Sequence, residues 1–145
     1  MLDTQWLWLV YKVAPEPSAR RVYVWRKLKR LGAILVHDAV WVLPATARTR
    51  EQFQWLAAEI IEQGGEAMVL EGTQLFHQHD EPMRQQFMAQ VDSQYQEILA
   101  EIQGEGADLA GLSRRYQQVK SQDFFQSDLG LAVREALIHA RGEVD

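Results

Sequence analysis

The residues best suited to chemistry in this sequence are cations gathered between Ser18 and Leu31. They are Arg20, Arg21, Arg26, Lys27, Lys29 and Arg30. The chain has 145 residues, 15 Lys and Arg, and a formal net charge of -5, so this basic cluster is a local feature. No acidic residue lies between Glu16 and Asp38. Cations on one segment attract phosphate groups, so the cluster predicts contact with a DNA or RNA backbone. The other interpretation is a solvated face that balances the acidic remainder.

A second group with potential chemistry lies just before Pro82 and contains His77, His79 and Asp80. Imidazole and carboxylate groups are ligands that zinc and nickel accept in proteins. If the segment is extended, both imidazoles point to the same side. The sequence offers no evident further ligand, so we favour a polar surface loop. We expect no bound metal and no cofactor.

Catalytic signatures are absent from the sequence. His37 and Asp38 are adjacent and could form a pH-sensitive or catalytic pair. Neighbouring residues of a strand point to opposite faces, however, so we interpret them as structural polar residues at a bend. The chain has no Cys, no nucleophile elbow, no glycine-rich phosphate loop and no zinc-protease motif. We therefore expect that the protein is not an enzyme.

The first element that positions these residues is a strand from Trp6 to Val13, followed by Pro15 and Pro17. Aromatic, aliphatic and β-branched side chains occupy both of its faces. Such a strand is typically buried on both faces. If helices cover only one face of the sheet, a second subunit or the second half of the chain must cover the other. This need predicts either a homodimer or a helical cover.

The basic cluster itself is predicted to lie on an amphipathic helix. Ser18 can cap this helix, and Gly32 can end it. Val24, Trp25 and Leu28 recur on one side at the helical period. We therefore expect Trp25 to pack in the core and not to stack on bases. The cations would then form the outer surface of the helix.

The remaining first half alternates extended and helical patterns. Residues 33–43 read as extended with a bend in the middle, and Pro44 stops them. A capping box at residues 49–52 starts a helix that ends at Gly64, and residues 66–70 form another strand. The order strand, helix, one bent strand or two short ones, helix, strand is that of the split βαβ, or ferredoxin-like, fold. The predicted fold class is α+β.

The second half of the chain is predicted to be helical. Apolar residues recur at helical spacing in three segments, residues 82–103, 109–119 and 129–140. We expect residues 1–75 to form the ferredoxin-like βαββαβ core and residues 76–145 to form a helical extension packed on it, as one structural domain. A smaller basic cluster lies here, and we interpret it as a solvated helix face: Arg114, Arg115 and Lys120.

Composition agrees with an ordinary globular chain. Hydrophobic residues make up 47% of the sequence and charged residues 24%. No apolar run is long enough to cross a membrane, and the start of the sequence lacks the pattern of a signal peptide. The absence of Cys is typical of proteins that need no disulfides. We expect a cytoplasmic protein.

Three strings resemble a known family: WLWLVYKVAPEPSARRVYVWRKLKRLGAILVHDAVWVLPAT, AAEIIEQGGEAMVLEG and SRRYQQVKSQDFF. Together they are similar to the amino-terminal domain of the chromate-resistance regulator ChrB. The features shared are a strand exit with two prolines, an Arg-rich helix ending in LKRLGA, a VWVLP strand, a GG turn and a late DFF. The similarity covers nearly the whole chain. A weaker similarity links the middle portion to the PaaX repressor and to small ferredoxin-like CRISPR-associated subunits that form dimers.

The resemblance implies a DNA-binding transcriptional regulatory module linked to chromate resistance. It also implies that the six cations of the basic cluster contact DNA. Full regulators of this family carry a further carboxy-terminal domain, where oxyanion sensing is expected. We therefore expect a separate ChrB-like sensing domain as a partner. The alternative function is a non-catalytic dimerisation or protein-interaction module.

The CRISPR-associated similarity carries no nuclease activity over to this chain. Nuclease members of that group hold a metal through an acidic residue at the end of the first strand. The corresponding stretch here contains Lys12 between Tyr11 and Val13. A lysine ammonium cannot ligate Mg²⁺, because it has no lone pair to donate.

Overall fold

The structure is a computed structural model that describes residues 4–15 and 18–142. By contacts, the chain divides into two compact units, Met1–Pro82 and Met83–Asp145. The expected packing of the two parts into one structural domain stays a prediction. The helices and strands are β1 (Trp6–Lys12), α1 (Ser18–Leu31), β2 (Ile34–His37), β3 (Val40–Pro44), α2 (Ala47–Glu62), β4 (Glu66–Gly72), a 3₁₀ turn (His77–His79), α3 (Asp80–Ile102), α4 (Leu109–Lys120) and α5 (Asp128–Ala140).

The first unit is built on a four-stranded sheet with the order β2-β3-β1-β4. All three neighbouring pairs are antiparallel. Helix α1 connects β1 to β2, and β3 lies between these two strands in the sheet. Helix α2 connects β3 to β4, and β1 lies between them. This is the ferredoxin-like arrangement. The predicted α+β fold class is confirmed. Strands β1 and β3 are central, because each of them is flanked by two strands.

One face of the sheet carries the core under the helices. Leu7 pairs with Leu43 and Leu9 pairs with Trp41, so these four side chains share a face, and all are buried. Helix α2 contributes its own buried side chains to this unit. They recur at helical spacing: Phe53, Leu56, Ala57 and Ile60. Each fully buried Leu contributes about 1.5–3 kcal/mol, so this cluster anchors α2 on the sheet.

Fewer apolar side chains of helix α1 are buried than the sequence predicts. Val24 and Leu28 are buried, but Trp25 is 51% exposed. The expectation that Trp25 packs in the core is therefore wrong. Successive helical residues are rotated by about 100°, so Trp25 lies on the flank beside Val24. The inner side of α1 is accordingly narrow.

Helix α2 starts earlier than predicted. Its N-cap is Thr46, and Thr49 is the third helical residue. The Thr49 amide donates to Thr46 Oγ1 at 3.0 Å, and the Thr46 amide donates to Thr49 Oγ1 at 2.8 Å. Thr49 thus takes the place that Glu or Gln usually fills in a capping box. The predicted box over residues 49–52 is wrong by one turn, whereas the predicted end at Gly64 is confirmed by a φ of 92° there.

The expected bend in residues 33–43 is a hairpin between β2 and β3. Asp38 has a φ of 41°, and the pairing register shifts between Leu35 and His37. Asp tolerates this left-handed conformation better than most residues. His37 and Asp38 are both exposed, as structural residues of a turn would be.

The second unit is helical and has its own core. Tyr95 of α3 is fully buried, and its hydroxyl donates to Asp123 Oδ2 at 3.0 Å. Gly130 lies against the Tyr95 ring, where a Cβ would come within 3.0 Å. The other buried members of this core are Val91, Ile98, Leu112, Tyr116, Val119, Val133 and Leu137. No helix in the described ranges is long and apolar enough to span a membrane.

Candidate nucleic-acid interface

The six predicted contact residues all lie on α1, but they divide among three sides of it. Val24 and Leu28 mark the buried side. Arg26 lies two residues after Val24, and Arg30 lies two residues after Leu28. Two helical residues correspond to a rotation of about 200° around the helix axis, so both Arg side chains lie on the opposite side of α1. Both are exposed. Being four residues apart, they are neighbours on the helix surface.

Arg20 is engaged within the fold. Its guanidinium donates to the Gln63 carbonyl oxygen at 2.5 Å. Gln63 is the C-cap of α2, whose last carbonyl groups lack partners inside the helix. Arg20 therefore joins α1 to the carboxyl end of α2. Its role as a DNA contact stays a prediction.

The side of α1 that faces α2 carries a second link. The Tyr23 hydroxyl donates to Glu59 of α2. This hydrogen bond, together with partial burial and the negative charge of Glu59, raises the pKa of Tyr23 above its usual value. The bond orients Tyr23 and fixes α1 against α2 near the outward cations. It leaves the Tyr23 ring partly exposed at the edge of the basic surface.

Lys29 lies above an aromatic ring. Its Nζ is 5.9 Å from the centroid of the Trp25 ring. A cation over the face of an indole is attracted by the ring quadrupole, and an exposed pair contributes about 0.5–1 kcal/mol. Trp25 therefore supports Lys29 on the outside of α1. The two residues are separated by one helical turn.

Two cations of α1 have no partner in the part of the chain that the structure describes. Arg26 and Lys27 make no hydrogen bond or ion pair with any described residue. With Lys29 and Arg30 they form what we call the cationic face, defined as Arg26, Lys27, Lys29 and Arg30. Arg26, Lys27 and Arg30 line a groove of about 590 Å³ together with Ala19, Val22 and Tyr23. Lys29 and Arg30 also lie in the last turn, where the helix dipole favours cations.

Arg21 lies apart from the cationic face. It lines a cavity of about 750 Å³ between α1 and the β2–β3 side of the sheet. Lys12 at the end of β1 and Asp38 of the hairpin line the same cavity. Three large aromatic side chains complete much of its wall: Tyr11, Trp25 and Trp41. The structure thus separates Arg21 from the four residues of the cationic face.

The smaller basic cluster in the second unit is less available for an anion. Arg115 pairs with Glu101 and lies 3.6 Å from a carboxylate oxygen of Glu97. Lys120 Nζ lies 6.0 Å from the centroid of the Tyr116 ring. Nearby carboxylates offset the positive charge of this helix face.

The metal candidates do not form a ligand set. The Asp80 carboxylate is 3% exposed and accepts hydrogen bonds from Trp6 Nε1 at 2.9 Å and from Gln74 Nε2 at 2.8 Å. His77 and His79 lie in a 3₁₀ turn, where residues two apart do not share a side. Among residues 4–15 and 18–142 no three potential ligands are grouped around one point. Asp80 serves the fold as a buried acceptor.

Sequence reasoning missed the cavity and its lining. Lys12 entered the prediction only as a residue that cannot hold a metal, and Trp41 only as part of a strand. Trp41 is 3% exposed, and its Nε1 is buried without a hydrogen-bond partner in the described part of the chain. A Trp in a short strand beside a basic helix carries no sequence signal for such a site. The cavity depends on the crossing of α1 over β2 and β3.

Comparison with known proteins places the chain in a family. A family model described as "Protein ChrB, N-terminal" matches residues 21–110, which include the whole cationic face. Protein ChrB of Cupriavidus metallidurans is 25% identical over 140 residues, covering 87% of this chain and 42% of that protein. The chain therefore spans less than half of the length of this relative. No solved structure matches the chain.

Proposed function

We propose that this chain, which belongs to the ChrB N-terminal family, is a DNA-binding regulatory module linked to chromate resistance. In this proposal the module is not an enzyme and contacts the phosphate backbone through the cationic face of α1. Affinity comes from charge, and phosphate contacts fix the position of the protein on the duplex without reading bases.

The proposal rests on cations of α1 that have no hydrogen-bond or ion-pair partner among the described residues. Arg26 and Lys27 have no described partner, and α1 contains no carboxylate of its own. Unpaired cations on a rigid helix are ready to replace the counterions of a polyanion. The fold holds them in place through the Arg20 and Tyr23 links to α2.

The test is a salt titration of duplex binding by the parent and by a variant with Arg26, Lys27, Lys29 and Arg30 all changed to Gln. Fluorescence anisotropy with a labelled mixed-sequence duplex measures the affinity. We expect the variant to bind about 100-fold more weakly at low salt. Its plot of log affinity against log salt should be shallower by roughly 3 to 4, because each lost phosphate contact removes roughly 0.9 from the slope.

A matched control separates this face from charge in general. Changing Arg114, Arg115, Lys120 and Arg134 to Gln removes the same number of charges from the second unit. This control should keep the affinity and the salt slope of the parent. Equal binding by the parent and the α1 variant would overturn the proposal, and so would failure of the parent to bind duplex DNA at low salt.

A second candidate function is self-association through the sheet. Met68 and Leu70 of β4 are 58% and 49% exposed. They lie directly opposite Val10 and Trp8 of β1, which are only half-buried. Exposed apolar side chains next to one another on a sheet face favour contact with another protein surface. A second copy of this chain is the partner that the sequence already suggests.

A further inference from the structure

We propose that the cavity between α1 and the hairpin of β2 and β3 binds a small molecule with a planar apolar body and one anionic group. Its volume of about 750 Å³ is within the usual range for small-molecule sites. Its wall joins three elements, since Tyr11 belongs to β1, Trp25 to α1 and Trp41 to β3. Rings on several sides of one cavity favour a flat aromatic body, because aromatic rings pack by stacking and by edge contacts.

The charged residues that line the cavity indicate that the polar group of the ligand is anionic. Arg21 and Lys12 both line it, and neither has a hydrogen bond or ion pair to a described residue. Asp38 is the only carboxylate among the lining residues that the structure describes, and it is likewise not paired with either cation. The described lining therefore has an excess of one positive charge. A monoanion neutralises this excess, and a guanidinium can donate two parallel hydrogen bonds to a carboxylate.

A buried donor in the wall supplies the second observation. Trp41 Nε1–H has no acceptor in the described part of the chain and is closed off from solvent. A buried donor without an acceptor destabilises a protein, and nearly all such groups in proteins are satisfied. Trp25 and Leu35 also line the cavity, and both are about half-exposed. A ligand that displaces them can offer Trp41 an acceptor.

The experiment uses the full chain and naphthoate as the probe, since it combines a flat aromatic body with one carboxylate. The chain has five Trp, each with one indole N–H that gives a separate peak in a proton–nitrogen correlation spectrum. We expect naphthoate to move the Trp41 and Trp25 peaks in a saturable way. The Trp55 peak should stay in place, because Trp55 lies on α2 and does not line the cavity. Neutral naphthylmethanol should bind at least about tenfold more weakly, because it cannot pair with the cations.

Two variants test the assignment of the polar groups. Arg21→Gln should weaken naphthoate binding by about tenfold and leave the affinity for naphthylmethanol unchanged. Trp41→Phe keeps a ring in the wall but removes the indole N–H, so it should also weaken binding. Trp55→Phe is the matched control and should bind like the parent. The spectrum of each variant reports whether it is folded.

Three outcomes would overturn the proposal. In the first, naphthoate moves no indole peak or moves only that of Trp55. In the second, Arg21→Gln binds both probes as the parent does. In the third, a single-stranded oligonucleotide moves the Trp41 peak and naphthoate does not, which would assign the cavity to a nucleobase. None of these results depends on whether the cationic face binds duplex DNA.

Discussion

Individual side chains in this protein have roles that their types alone do not reveal. Asp80 lies in a run of His, Gln, Asp and Glu that resembles a metal-binding loop, yet it is buried and accepts the indole N–H of Trp6. The same carboxylate also accepts the Thr4 amide at 3.2 Å. A sequence pattern cannot show this, because the bond joins residues that are 74 positions apart. The role follows from the tertiary structure.

Replacing Asp80 should therefore weaken the first unit. Asp80→Ala leaves the Trp6 N–H buried without its acceptor, and we expect a loss of about 1–3 kcal/mol in the free energy of unfolding. Urea unfolding followed by Trp fluorescence measures this, because all five Trp belong to the first unit. Glu105→Ala, at an exposed residue of the second unit, is the control. Equal stability of the two variants would contradict the assignment.

Tyr95 makes stability depend on pH at the alkaline end. Burial, and then the hydrogen bond to Asp123, raises the pKa of Tyr95 above its ordinary value of 10.0. The folded state therefore holds the phenol proton more tightly than the unfolded state. The stabilisation is complete below pH 10 and declines as the pH rises above that value, where unfolded Tyr95 ionises.

The expected result is a difference between two pH profiles. Parent protein should lose stability above pH 10, the ordinary pKa of the Tyr95 phenol. Tyr95→Phe should be less stable at neutral pH but should lose less as the pH rises through the same range. Thermal unfolding followed by circular dichroism gives both profiles. Parallel profiles would show that Tyr95 does not cause the alkaline decline.

At the scale of elements, the sequence predicts the order of the first unit and most of its boundaries. Gly32 and Gly64 both have a positive φ, and they follow the ends of α1 and α2 where the sequence predicts that these helices end. Local signals suffice there because glycine is favoured at such conformations. The start of α2 was predicted one turn late, because Thr49 sits inside a capping box that Thr46 begins.

The candidate site was predicted only in part. The sequence identifies the cations of α1 but cannot show that Arg20 binds the end of α2 and that Arg21 enters a cavity. Trp25 was assigned to the core from periodicity, and the structure places it outside. Periodicity defines a stripe on a helix but not its width, which depends on how much of the helix the sheet covers.

The connection from α2 to β4 offers a steric test. A Cβ at Gly65 would come within 2.8 Å of the Lys12 carbonyl oxygen and of Ile60 Cγ2. Backbone cannot move away as a flexible side chain can, so Gly65→Ala should destabilise the first unit by about 1–3 kcal/mol. Gly72→Ala, at the other end of β4, meets nothing within 4 Å and is the matched control. Urea unfolding of both variants measures the difference, and equal losses would refute the steric explanation.

At the scale of the whole molecule, charge and apolar surface are both unevenly distributed. The cationic face lies on a chain with a net charge of -5, so long-range forces should orient DNA toward α1 and away from the acidic remainder. The exposed apolar pair on β4 is a separate surface on the sheet. One protein could use the first surface for DNA and the second for a second copy of itself.

Self-association through β4 gives a prediction at this scale. We expect sedimentation velocity to show a dimer whose fraction rises with concentration. Leu70→Glu should shift the protein to the monomer, because it places a charge in the apolar contact. Ile61→Glu changes an equally exposed apolar residue on α2 and should not alter the equilibrium. A parent protein that stays monomeric at all concentrations would contradict the proposed self-association.

Helix α1 carries both the cationic face and one part of the cavity wall, since Arg21 and Trp25 belong to it. A ligand that moves Trp25 also moves the ring beneath Lys29. Two ligands that act on one helix are linked thermodynamically. Whatever factor the small molecule imposes on DNA affinity, DNA must impose the same factor on the affinity for the small molecule. This linkage would let the domain respond to a small molecule through a single helix.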